Sequence, residues 1–65
     1  MQVFNVQGMT CGHCVKAVTR AVQEQDAQAQ VEVDLAARQV RVKSVLMDEQ
    51  VLAAIREEGY QAEVA

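Results

Sequence analysis

The spacing of apolar residues constrains this chain more than any other feature, because its period changes in a set order along 65 positions. In "VFNV", Phe4 and Val6 alternate with polar neighbours, the period of two expected of a half-buried strand. From about His13 the period lengthens. Cys14, Ala17, Val18, Ala21 and Val22 recur at helical spacing, with Lys16, Arg20 and Gln23 outward. "QEQDAQAQ" is polar and reads as a helix end plus a connector. Val31, Val33 and Leu35 then alternate with Glu32 and Asp34. After the short connection "AAR", Val40 and Val42 alternate with Arg41 and Lys43. Asp48 is expected as the N-cap of a second helix, with Glu49 in its first turn. Val51, Leu52 and Ile55 form that helix's buried stripe and Gly59 its stop. Tyr60, Ala62 and Val64 alternate as a last, edge-like strand.

The order strand, helix, strand, strand, helix, strand predicts an α+β fold. It is a ferredoxin-like βαββαβ sandwich, with a four-stranded antiparallel sheet and both helices on one face. Residues 1–65 are expected to make a single small domain without a linker. Aromatic residues are only 3% of the chain, so valine and alanine must carry the core. No apolar run approaches the roughly 18 residues of a membrane span, so no membrane insertion is expected. The opening "MQVFNVQG" shows none of the parts of a signal peptide, and two thiols without an export signal predict a reducing cytoplasm. A net charge of −3 argues against nucleic acid as a partner, since phosphate binding needs clustered cations. Every acidic residue lies at Glu24 or later, whereas Lys16 and Arg20 alone are charged before it. The cysteine end is therefore expected to be locally cationic, read either as scattered surface charge or as a docking face for an acidic partner.

Both cysteines and the only histidine fall in "GMTCGHC", Gly8 to Cys14. A staple, a redox couple and a metal clamp compete for this stretch. A bridge from Cys11 to Cys14 would close a loop of about four residues and contribute roughly 2 kcal/mol at most, which is a poor staple. Cys11 is expected in the loop and Cys14 in the first helical turn, so both sulfurs turn toward the helix N-terminus. The dipole and backbone N–H groups there favour thiolate over thiol, and Gly8 and Gly12 let the backbone swing around an ion. That arrangement suits metal capture and redox chemistry alike. Zinc wants about four N, S or carboxylate ligands, and this loop offers two thiolates, the imidazole of His13 and no nearby acid. Soft thiolates in low number favour Cu(I), held between sulfurs roughly 4–5 Å apart. "CGHC" is also the active-site sequence of protein disulfide isomerases, but their family's tryptophan and cis-proline have no counterpart in a chain without Trp or Pro.

"GMTCGHC" before a Val/Ala-striped helix, with "REEGYQAEV" at the other end, resembles the heavy-metal-associated domain family over essentially the whole chain. Among its members the chain is most similar to free-standing bacterial cytosolic copper chaperones. The resemblance implies that Cys11 and Cys14 are the Cu(I) ligands and that Met9 is a core anchor rather than a ligand. It implies that Tyr60 stands beside the metal loop, where it is read either as a partly buried aromatic or as a ring that shields the site with a hydroxyl that tunes the thiolates. Thr10 stands where zinc-exporting relatives often carry an acid, which favours a monovalent soft metal. Gly12 and His13 lie between the ligands, with His13 read as solvent-facing and its coordination of metal in a copper-bridged dimer as the alternative. The metal-free chain is expected to be a monomer. The implied partner is the metal-binding domain of a copper-transporting P-type ATPase, or a copper-responsive regulator, with Lys16 and Arg20 orienting the encounter. A Zn, Cd or Hg carrier of the same fold stands as an alternative. So do a thiol–disulfide oxidoreductase, a structural module and an excised ATPase domain. Two departures put turn geometry in question. The connector Gln23–Gln30 and the Ala36-Ala37-Arg38 turn both lack a glycine that many members carry.

Overall fold

Alternation and helical spacing become elements close to where they are expected. The computed structural model describes residues 1–10 and 12–65. Gln2–Gln7 forms β1, Gly12–Gln25 α1, Gln30–Asp34 β2, Gln39–Lys43 β3, Asp48–Glu57 α2 and Gln61–Val64 β4. The four strands make one antiparallel sheet in the order β2-β3-β1-β4, so the short strands β2 and β4 are its edges.

Register assigns the faces. Phe4 lies opposite Val40, Val40 opposite Val33, and Val6 opposite Ala62, so one face of the sheet is apolar across all four strands. Phe4, Val6, Val40, Val42 and Ala62 are buried there beneath Val18, Ala21 and Val22 of α1 and Val51, Leu52, Ala54 and Ile55 of α2. Phe4 is the largest of the fully buried side chains. On the opposite face Asn5, Gln7, Gln61 and Glu63 line a polar groove, which leaves both helices on the apolar side. Among the described residues no buried side-chain N or O atom lacks a partner.

Both turns without glycine are solved by other residues. After α1, the Asp26 carboxylate accepts the Gln28 N–H at 3.1 Å and the Asp26 carbonyl accepts the Ala29 N–H at 3.0 Å. Ala29 is buried, so the turn is also held by the core. After β2, the Asp34 carboxylate accepts the Ala37 N–H at 3.0 Å, and Arg38 takes the left-handed conformation (φ 57°) usual for glycine. The Arg38 carbonyl is retained as an acceptor for the Val6 N–H, at 2.9 Å.

Two expectations need correction. Leu35 does not continue the inner row of β2; the strand ends at Asp34, and Leu35 sits in the turn, 38% exposed. Asp34 turns the chain one residue before the alternation runs out. Asp48 is not the N-cap of α2 but its first residue, and Met47 is the cap. The Gln50 side-chain oxygen accepts the Met47 N–H at 2.9 Å, and the Asp48 carboxylate instead accepts a hydrogen bond from Gln2 Nε2 at 2.7 Å. Gly59 ends α2 as expected, with φ 92° and its N–H donated to the Arg56 carbonyl at 3.0 Å.

Candidate metal-binding loop

The sheet register brings the two ends of the chain's chemistry together. β1 and β4 are antiparallel with Gln7 opposite Gln61 as the last pair, and Gly8 and Tyr60 adjoin that pair just outside the two strands. Gly8 leaves β1 with φ 95°, a conformation that costs a side-chain-bearing residue about 1–2 kcal/mol. An aromatic edge of Tyr60 lies over it, since Tyr60 Cδ1 is 3.4 Å from where a Cβ at position 8 would stand. Met9 turns into the core, only 8% exposed. Its thioether is packed among apolar neighbours rather than presented to a ligand at the surface. Thr10 is exposed.

Gly12 opens α1, and Cys14 follows within its first turn. Cys14 is half-buried and packs against the same apolar cluster as Tyr60. No acidic residue stands in the first turn of α1. A negative charge there meets the positive end of the helix dipole without a competing carboxylate. His13 is exposed. Gly12 meets nothing within 4 Å of a built Cβ and does not share the positive φ of Gly8. Of the two loop glycines, Gly8 alone takes a positive φ. Cys11 lies outside the described residues. Among the described residues no three His, Cys, Asp or Glu side chains gather into a candidate metal cage.

Lys16 and Arg20 are exposed one turn apart on α1. With His13, Ala17 and Glu58 they line a shallow surface depression. On their other flank, Lys16 and Arg20 share a second depression with Glu24. The cysteine end, expected from charge order to be locally cationic, also has Glu58 beside Lys16 and Arg20, because folding returns the end of α2 to α1. Linear charge order carries no signal for that return. Tyr60 was singled out by its sequence context, whereas its contact with Gly8 depends on strand register.

The site is thus a βαββαβ layer with a thiol in the first turn of α1 and a buried methionine in the segment before it. The model of the heavy-metal-associated domain matches residues 3–61, and this chain belongs to that family. It is 40% identical over 62 residues to the copper chaperone CopZ of Staphylococcus haemolyticus, covering 91% of each chain. The structure of the copper chaperone Atx1 from Synechocystis PCC6803 superposes with a TM-score of 0.93 at 41% identity, covering 97% of this chain and 100% of that one. A gold binding protein superposes with a TM-score of 0.93 at 34% identity, both chains covered in full. Among the described residues no helix is long and apolar enough to cross a membrane.

Proposed function

We propose that this chain is a copper chaperone that carries Cu(I) on the thiolates of Cys11 and Cys14 in the cytoplasm. The observation that carries the reading is Cys14, half-buried in the acid-free first turn of α1, in a chain 40% identical to a named copper chaperone. Thiolates are soft donors, and a site of few thiolates suits a monovalent soft ion better than zinc. The likeness to a gold binding protein agrees with soft-ion chemistry on this frame.

Cu(I) is cargo here, so the site must release it as well as hold it. A thiolate of the acceptor adds to the ion and the bond to one donor sulfur breaks; a second acceptor thiolate then adds and the bond to the other donor sulfur breaks. Copper stays in the monovalent state throughout, so no electron is exchanged, and any proton taken up goes to the departing sulfurs. The acceptor is a cysteine-bearing metal-binding domain of a copper-transporting P-type ATPase, or a copper-responsive regulator. Lys16 and Arg20 orient that encounter through acids on the acceptor, with Glu58 as a local counter-charge.

Anaerobic competition between Cu(I) and Zn(II), read with X-ray absorption at the copper edge, tests the reading. One Cu(I) per chain bound by sulfur alone is the expected result. A preference for zinc, or a shell dominated by nitrogen and oxygen, overturns it.

A further inference from the structure

At the entry to the loop, the ring of Tyr60 lies against the place where Gly8 has no side chain. We propose that Gly8 is the seat of the Tyr60 ring and acts with it as one positioning unit for the cysteine loop. The inference rests on the copper-carrier reading for its functional consequence, but its structural content can be tested without metal.

Three observations carry it. Gly8 and Tyr60 each adjoin the last pair of the β1–β4 ladder, Gln7 and Gln61, so the register brings the two residues near one another where β1 ends. The ring edge lies 3.4 Å (Cδ1) and 4.0 Å (Cε1) from the place a Cβ would take at position 8. A lone methyl would sit in ordinary contact with the ring, and a longer side chain directed the same way would compete with the ring edge for that space. Met9, next in the chain, is locked in the core and leaves the loop little room to adjust by sliding. The backbone leaving β1 is therefore held between a packed thioether and an aromatic edge. Ring position and loop position are set together.

Glycine at position 8 has two separable explanations. One is its φ of 95°, which disfavours L-residues; the other is the seat itself. Asparagine tolerates positive φ better than alanine does, yet it is longer. The two explanations thus rank the same two variants in opposite order. If backbone strain alone mattered, Gly8→Ala would be the worse change. If the seat matters, Gly8→Asn is.

Tyr60 is the only tyrosine in a chain without tryptophan, so its emission reports the ring directly. In the metal-free protein, Gly8→Asn should shift the Tyr60 emission and ring proton resonances more than Gly8→Ala does. Loaded with Cu(I), Gly8→Asn should pass the ion to a dithiol acceptor roughly tenfold more slowly than Gly8→Ala, the lower end of outer-shell effects on metal sites. In a Tyr60→Ala background that difference between Asn and Ala should vanish, because the coupled partner is gone. A ranking with Ala as the worse variant, or an Asn–Ala difference that survives removal of the ring, overturns the proposal. A wild-type measurement keeps it exposed should a variant fail to fold. Nuclear Overhauser contacts between the Gly8 Hα protons and the Tyr60 ring are expected, and their absence overturns it as well. Failure to bind Cu(I) at all would count against the carrier reading and leave these metal-free measurements to judge the seat.

Discussion

Residues 8–14 and residues 44–50 each carry the chain from a central strand into a helix, and they are built in opposite ways. The second crossing is closed by the chain's own polar groups. Gln2 Nε2 donates to the Leu46 carbonyl at 2.9 Å and to the Asp48 carboxylate at 2.7 Å, and Ser44 Oγ accepts the Leu46 N–H at 3.2 Å. Gln50 and Met47 cap one another, and Asp48 and Glu49 place two acids on the first turn of α2. The first crossing has no acid in its first turn and is fixed by apolar contact instead, Met9 in the core and Tyr60 over Gly8. Where the protein needs only a helix start, carboxylates answer the helix dipole. The first turn of α1 has no carboxylate to do so, and under the proposed function the Cys14 thiolate takes that place.

The sharpest way to break this comparison is to remove the sulfurs. Cys11→Ser with Cys14→Ser should weaken Cu(I) binding by more than about a hundredfold, beyond the range of outer-shell effects. Anaerobic titration against a colorimetric Cu(I) chelator reads it, and retention of the ion would place the site elsewhere. A smaller change makes the first crossing resemble the second. Thr10→Asp supplies a hard carboxylate beside the loop, and the Zn(II)-to-Cu(I) affinity ratio should rise by roughly tenfold. An unchanged ratio would mean that the absence of acids there does not set selectivity. The smallest effect lies on the other side. Gln50→Ala removes the side-chain half of the α2 cap and should cost about 0.5–1 kcal/mol in urea unfolding, with Cu(I) affinity unchanged. Loss of Cu(I) affinity in that variant would show that the two crossings are not independent.

Much of this was legible in the chain itself. Periods of two and of 3.6 residues follow from backbone geometry, so "VFNV" and the Val18–Val22 stripe identified a strand and a helix before any packing was known. The exceptions are local competitions that a period does not weigh. Leu35 fits the alternation of β2, but the Asp34 side chain satisfies the Ala37 N–H and ends the strand. Asp48 has the composition of an N-cap, but Gln50 reaches back to Met47 first and leaves Asp48 to Gln2, 46 residues away. In the Ala36-Ala37-Arg38 turn, which has no glycine, Arg38 itself takes the left-handed conformation. Cys14 lies on the helix as expected, whereas Cys11 is outside the described residues and its role rests on sequence and family.

By itself the sequence determined the order of elements, the inward faces and the residue types at the loop, since all three depend on neighbours a few positions apart. Only the tertiary structure decided which distant groups meet. Register set Tyr60 against Gly8, and the return of α2 placed Glu58 beside Lys16 and Arg20. The physical reason is the range of the forces involved. Periodicity is a short-range property of one backbone segment, while pairing across the sheet is chosen by how the whole apolar face packs.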